Sequence, residues 1–334
     1  MRRERLTIAL VLALLAILGF SVVLAKLQEA AVGEGDAGEK KFEFGLIGDI
    51  PYNAEQQRET EVLFGEMGSE NLAFVVHVGD IKGERSPCTD EVLFREKRRF
   101  ENFEHPLVYV PGDNEWTDCH RTGQDPIERL ERLREIFFVG DGSLGERTIP
   151  LARQSSDYPE NVRWTYGDVT FLGLNVPGTN NNRDRAPDEY AARNRANLGW
   201  MHEGFDRAEA DGSSAVVIVI HANPGFKLPP EGRTGYNDFL SALERETAAF
   251  RKPVVLVHGD THTFRVDKPM TTSTSGRRVE NLTRVETFGS PDVHWVRASV
   301  DTADPRVFAF QKEVVEENTP EATPDSRGEG SEAS

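Results

Sequence analysis

The chain is poor in cysteine and in positive charge, and it has a single long hydrophobic run. Its two cysteines, Cys88 and Cys119, do not fall in a Cys-x-x-Cys spacing, which argues against a thiolate metal site. Against 56 acidic residues stand 39 lysines and arginines, for a net charge of −17. The excess is not confined to the ends. Residues 1–41 hold six bases and five acids, and the segment from Glu313 onward holds seven acids and one base, so residues 42–312 still carry −12. A body of that sign repels polyanions at long range, which argues against general nucleic-acid binding and for a small or metal-escorted substrate. No internal repeat of solenoid length is present either. What is present is 38% apolar residues, enough for a real core in one or two domains.

The long apolar run, Leu6 to Ala25, is uncharged and follows Arg2, Arg3 and Arg5. A run of that length spans a bilayer, and the arginines stay on the cytoplasmic side, so the remainder is expected to be exported. Residues 1–27 read as a transmembrane anchor or a signal peptide, since Val23 and Ala25 also offer a small-residue cleavage site. The protein is then membrane-anchored on the extracytoplasmic side, or secreted or periplasmic. Residues 28–41 read as a linker, 42–312 as one folded domain and 313–334 as a disordered acidic tail. In an exported protein an isolated cysteine pair points to a Cys88–Cys119 disulfide.

Five short apolar runs stop at a residue able to hold a metal ion. Phe44 to Gly48 ends at Asp49, Phe74 to Gly79 at Asp80, Leu107 to Gly112 at Asp113, Val216 to Ile220 at His221, and Val254 to Gly259 at Asp260, with His262 two further on. Such runs read as strands buried on both faces, and the strands of one layered α/β sheet deliver their C-terminal ends to a common edge. Carboxylates brought that close repel one another unless cations lie among them. His258 lies inside its apolar run and reads as packing or support for the site.

Helical periodicity alternates with these runs over Asn53–Met67, Thr89–Phe103, Pro126–Phe138, Asp188–Ala210 and Tyr236–Phe250. Arg163–Tyr166 and Val169–Asn175 read as an antiparallel pair turning at Gly167 and Asp168, and 262–312 as three or four short strands. The sum is a mixed β-sandwich flanked by helices.

In order and spacing, Asp49-Ile50-Pro51-Tyr52, Gly79-Asp80-Ile81-Lys82-Gly83, Gly112-Asp113-Asn114-Glu115, His221 and Gly259-Asp260-Thr261-His262 resemble the five blocks of the calcineurin-like metallophosphoesterases, as a divergent member. The helical segment Asn197–Ala208 with Trp200 resembles the helix before the histidine strand in that family. The resemblance covers about residues 42 to 265. It implies a four-layer α/β/β/α sandwich of two mixed sheets and a dinuclear centre. Asp80 bridges, Asp49 and His262 serve one metal, and Asp113, His221 and Asp260 the other. In an alternative register Asn114 itself ligates the second metal. The activity implied is hydrolysis of a small phosphate mono- or diester by a metal-bound hydroxide, with paired cations polarising the phosphoryl oxygens.

Four departures qualify that expectation. Pro51 replaces the histidine of the first block and cannot ligate, which leaves Tyr52 or water to fill the place. Asp113 and Asp260 stand for an asparagine and a histidine, and the added anionic oxygen favours Mn, Mg, Ca or Fe over Zn. Asn114 stands for the catalytic histidine, and an amide donates a hydrogen bond but no proton at neutral pH. His120 and Glu115 are the nearby candidates to replace it, and Lys82, Arg183 and Arg185 are candidates to meet phosphate. The alternative is a catalytically degenerate scaffold that binds one metal or a ligand at the old site.

Overall fold

The computed structural model describes residues 40–319. The apolar run 6–25, the linker up to residue 39 and the tail beyond 319 lie outside the described residues. Among the described residues no helix is long and apolar enough to cross a membrane. The folded body begins at Lys41, one residue before the expected boundary, and runs past Glu313, which closes the last strand and is followed by the buried Val315.

Twelve strands form two mixed sheets. β1 (Lys41–Ile47), β2 (Val75–His77) and β3 (Leu107–Tyr109) run parallel, and β11 (Trp295–Asp301) and β12 (Val307–Glu313) complete a five-stranded sheet in the order β12-β11-β1-β2-β3. The second sheet has seven strands in the order β4-β5-β6-β7-β8-β10-β9. Its strands are β4 (Ala152–Arg153), β5 (Val162–Tyr166), β6 (Val169–Gly173), β7 (Ala215–Val219), β8 (Val254–His258), β9 (Arg265–Asp267) and β10 (Leu282–Glu286). The central strands β6, β7, β8 and β10 are parallel. The β5–β6 hairpin turns at Gly167 and Asp168, whose φ of 52° and 62° suit the tight turn that joins right-twisted strands.

Alternation along each strand sorts the core into layers. Phe42, Phe44 and Leu46 of β1 meet Phe171 of β6, Val217 of β7 and Val257 of β8 in the cluster between the sheets. Ile47, Val75 and Leu107 face the other way, against α1 (Ala54–Gly68), α2 (Asp90–Glu101) and α3 (Pro126–Phe137). On the far side Leu172, Val216, Ile218 and Leu256 pack against α4 (Pro187–Ala210) and α5 (Asn237–Phe250). This is the four-layer α/β/β/α sandwich expected, with one refinement. The five strand ends come from two facing sheets rather than one: β1, β2 and β3 supply Asp49, Asp80 and Asp113, while β7 and β8 supply His221, Asp260 and His262.

Candidate metal centre

The chain turns abruptly where each run stops. Asp49, Asp80, Asp260 and His262 have φ of 57°, 58°, 76° and 57°, in the left-handed region that non-glycine residues adopt at a cost. Pro51 follows Asp49 through a cis Ile50–Pro51 bond. Two neighbouring groups fix these bends. Glu115 is fully buried, and its Oε1 accepts from the Asp80 and Gly112 N–H groups at 3.1 and 2.6 Å and from the Tyr109 hydroxyl at 2.6 Å. Glu115 is therefore a brace for two site loops, not a proton donor. His77 ties two others: its Nε2 lies 3.2 Å from the Ile50 carbonyl, and its Nδ1 accepts from the Gly79 N–H at 3.2 Å.

Burial holds His77 neutral, with its pKa lowered to about 3. The unfolded chain takes up this proton as pH falls through about 6.5, whereas the folded protein resists until about 3, so the contribution is whole above 6.5 and is lost below it. The loss is about 2 kcal/mol at pH 5. Asp260, raised to about 6 by burial, and Glu286, raised to about 7 by burial, act in the opposite sense without a cation, so the test is a difference. The stability advantage of wild type over His77→Gln should shrink by about 2 kcal/mol between pH 7 and pH 5 in urea denaturation. A difference that does not change with pH rejects this role.

The acids meet in two triads, Asp49, Asp80 and His221, and Asp113, His221 and Asp260, within each of which the ligand atoms lie inside 4.8 Å of one another. His221 directs Nδ1 to the Val78 carbonyl at 2.8 Å, which makes Nε2 the free nitrogen. That atom lies 2.9 Å from Asp113 Oδ1 and 3.4 Å from Asp80 Oδ1. Close as they are, Nε2 and Asp113 Oδ1 are not aligned as a hydrogen bond, and both are buried without a hydrogen-bond partner. Burial opposes a charged imidazole here, yet Asp80 and Asp113 draw the His221 pKa well above its ordinary value. Asp80 is pushed well up by burial, relieved by His221 and reinforced by Asp113 and Glu115. A buried imidazole nitrogen and a buried carboxylate oxygen, both without hydrogen-bond partners among crowded acids, are what a cation satisfies, so the residues fit a metal centre.

Asp80 is the most tightly held ligand. Its Oδ1 accepts from the Asn114 N–H at 2.9 Å, and its Oδ2 accepts from Asn114 Nδ2 at 2.6 Å and from the Tyr52 hydroxyl at 2.8 Å. A Cβ on Gly112 would stand 2.2 Å from Oδ1, so only glycine lets the loops close this far. The Asp260 N–H points between the oxygens of Asp49, at 3.1 and 3.3 Å, and Asp260 Oδ2 accepts from the Asn223 N–H at 2.9 Å. His262 Nε2 lies 3.5 Å from Asp49 Oδ1 and 3.1 Å from the Tyr52 hydroxyl, while Nδ1 faces the Ser290 carbonyl at 2.6 Å.

Several candidates take other places. Tyr52 stands between Asp80 and His262, with its hydroxyl donating to Asp80 Oδ2, and burial together with the charges of Asp80 and Asp49 raises its pKa well above the ordinary tyrosine value. Lys82 turns away: it is buried and its Nζ donates to the Gly83 and Ser86 carbonyls, which makes it a tie within its own loop. Asn114 donates Nδ2 to Asp80 Oδ2, which leaves its Oδ1, the atom an amide offers a metal, beside the acids. His120 faces the Thr117 carbonyl at 2.9 Å and makes no hydrogen bond or ion pair with the clustered acids among the described residues. Arg183 and Arg185 are exposed. His258 is buried and neutral, with its pKa lowered to about 3 by burial. Cys88 and Cys119 form the expected disulfide, with both sulfurs beneath the Asn114 carbonyl at 3.5 and 3.7 Å.

Two participants were not visible in the sequence. Thr179 Oγ1 donates to Asp113 Oδ2 at 3.1 Å from a left-handed turn, and the Thr261 hydroxyl donates to the buried Glu286. For the first a signal existed: three consecutive asparagines after Gly178-Thr179, a residue type that tolerates left-handed backbone.

The four-layer sandwich is the one that the resemblance to the calcineurin-like metallophosphoesterases implies. No family model and no curated protein matches the chain. Among solved structures, it is similar to PhoD at 12% identity, covering 81% of this chain and 68% of that one, with a TM-score of 0.48. It is similar to a 5'-nucleotidase from Candida albicans at 10% identity, covering 81% and 50%, with a TM-score of 0.41. Vacuolar Protein Sorting 29 from Cryptosporidium parvum shares 14% identity over 83% of this chain and all of that one, with a TM-score of 0.33.

Proposed function

We propose that the chain is a metal-dependent hydrolase of phosphate mono- or diesters. The observation that carries this reading is the pair of orphaned buried atoms, His221 Nε2 and Asp113 Oδ1, set within a ring of three further carboxylates. One imidazole nitrogen serves one ion, so the two triads that share His221 divide. Asp113, His221 and Asp260 would hold one cation and Asp49, Asp80 and His262 the other. When bound, such a pair polarises the phosphoryl oxygens and lowers the pKa of an attacking water. The donor set is rich in carboxylate oxygen, which favours Mn, Mg, Ca or Fe.

The chain's own residues orient the ligands, and among the described residues neither Asn114 nor His120 is placed to deliver a proton to a departing oxygen. Asn114 and Tyr52 aim Asp80, Glu115 and His77 fix the loops, and His120 points elsewhere. Leaving groups that depart as stable anions are therefore the preferred substrates. Manganese-reconstituted protein should hydrolyse aryl phosphate mono- or diesters, with alkyl esters slower by about two orders of magnitude or more, the typical contribution of general-acid catalysis. Equal rates on both would reveal an acid supplied by the chain. No turnover on any phosphoester by protein that holds metal would leave the second reading, a ligand-binding scaffold, which the inward engagement of Asn114 and His120 favours.

We also infer export. The arginine-flanked apolar run supports it, and so does the Cys88–Cys119 bridge, which suits an oxidising compartment. The folded domain then lies on the extracytoplasmic side, membrane-anchored or released after cleavage.

A further inference from the structure

Asp113 is pressed into place by a segment that would not hold its shape alone. A Cβ on Gly178 would lie 2.8 and 2.9 Å from the two carboxylate oxygens of Asp113, so the backbone there lies flush against the ligand. Thr179 then donates to Asp113 Oδ2. From Thr179 to Asn182 four successive residues have φ between 51° and 58°, a left-handed turn built without glycine. Such a turn persists only where its surroundings over-determine it.

One side chain grips it from both ends. Arg193 of α4 is 1% exposed. Its Nη1 donates to the Asn175 carbonyl at 2.9 Å and to Asn181 Oδ1 at 2.7 Å, and its Nη2 donates to the Asn181 carbonyl at 3.0 Å. Glu189, one helical turn earlier, accepts from Nε at 2.6 Å and neutralises the buried charge. The guanidinium lies over the ring of Trp116, 5.3 Å from its centroid, in the loop that carries Asp113 itself. The same planar group therefore fixes the turn that presses on Asp113 and the loop that presents it. Lysine has neither the fork nor the flat face needed to do both.

We propose that Arg193 is a positioning residue for the second metal ligand set: it holds the Gly178–Asn182 turn against Asp113 and so aims Asp113 Oδ1 at the cation shared with His221. The inference rests on the metal reading of the site. Groups that orient ligands from behind typically cost 10- to 100-fold in metal affinity when removed.

The test is calorimetric titration of Mn2+ into the metal-stripped full chain in detergent, alongside thermal melts. In Arg193→Lys one of the two binding events should stay at its wild-type affinity and the other weaken about 10- to 100-fold. Asn181→Ala, which removes the Nη1 contact to the Asn181 side chain but leaves the carbonyl contact and the arginine in place, should weaken the same event by a smaller factor and carries the test if the lysine variant does not fold. Thr179→Val should do the same, and combining it with either change should add little, because all act through one contact. Folded variants with wild-type isotherms and only a lowered Tm overturn the proposal, as do equal weakening of both events or additive losses. Wild-type protein that binds no Mn2+ overturns the metal site itself, a result distinguishable from these.

Discussion

Asp80→Asn is expected to lower kcat/KM by about 10³-fold or more and to reduce bound metal from two ions toward one, while leaving the fold intact. A loss of that size corresponds to about 4 kcal/mol of transition-state stabilisation, which follows when a carboxylate ligand of the site loses its charge. The substitution has a second, less intuitive consequence. In the metal-free protein Asp80 is buried among other acids, so a neutral amide there removes a repulsion, but its NH2 also faces a donor and gives up at least one bond that Asp80 accepts from Asn114 or Tyr52. The two effects oppose each other, so the metal-free variant should melt close to the metal-free wild type, while the metal-loaded wild type should melt above both. Elemental analysis, turnover on an aryl phosphoester and paired melts measure all three effects. Retention of more than a tenth of wild-type turnover would sink the assignment of Asp80.

Removing the Cys88–Cys119 bridge should cost about 3–4 kcal/mol, from the loop closed by cysteines 31 apart in sequence. In a domain of this size that corresponds to a fall in Tm of about 6 °C. Cys88→Ala with Cys119→Ala is the appropriate pair, since both side chains are fully buried and a serine hydroxyl would add an unsatisfied polar group. The bridge also lies under Asn114, whose backbone and side chain both hold Asp80. Metal affinity should fall together with stability, and reduction of the wild-type protein should produce both effects. A melt within 2 °C of wild type would show that the bridge constrains nothing that the core does not already hold.

The sequence made the frame legible because the frame depends on short-range physics. The helices at Asn53–Met67, Pro126–Phe138 and Tyr236–Phe250 were each placed within one residue of their observed bounds, since capping residues and apolar period act locally. The strand ends were legible for the same reason. What could not be read was which way a polar side chain turns once two sheets face each other. Lys82 follows Asp80 by two residues, yet it is folded back onto Gly83 and Ser86. His120 has the chemistry of an acid catalyst, but the turn of 3-10 helix at Thr117–Thr122 takes it to a carbonyl. Arg193 and Thr179 belong to the Asp113 environment only through contacts that span 66 residues or more of chain, which no local pattern records.

The left-handed backbone at Asp49, Asp80, Asp260 and His262 bears on how this chain would age if its chemistry ceased to matter. Glycine accepts that conformation freely, whereas each present residue carries a strain of about 1–2 kcal/mol there. Random substitution without selection for the side chains would therefore drift toward glycine at these four corners and gain stability on the way. Three carboxylates and an imidazole therefore stand at corners where glycine would be the easier residue, and the main chain carries the cost of placing them.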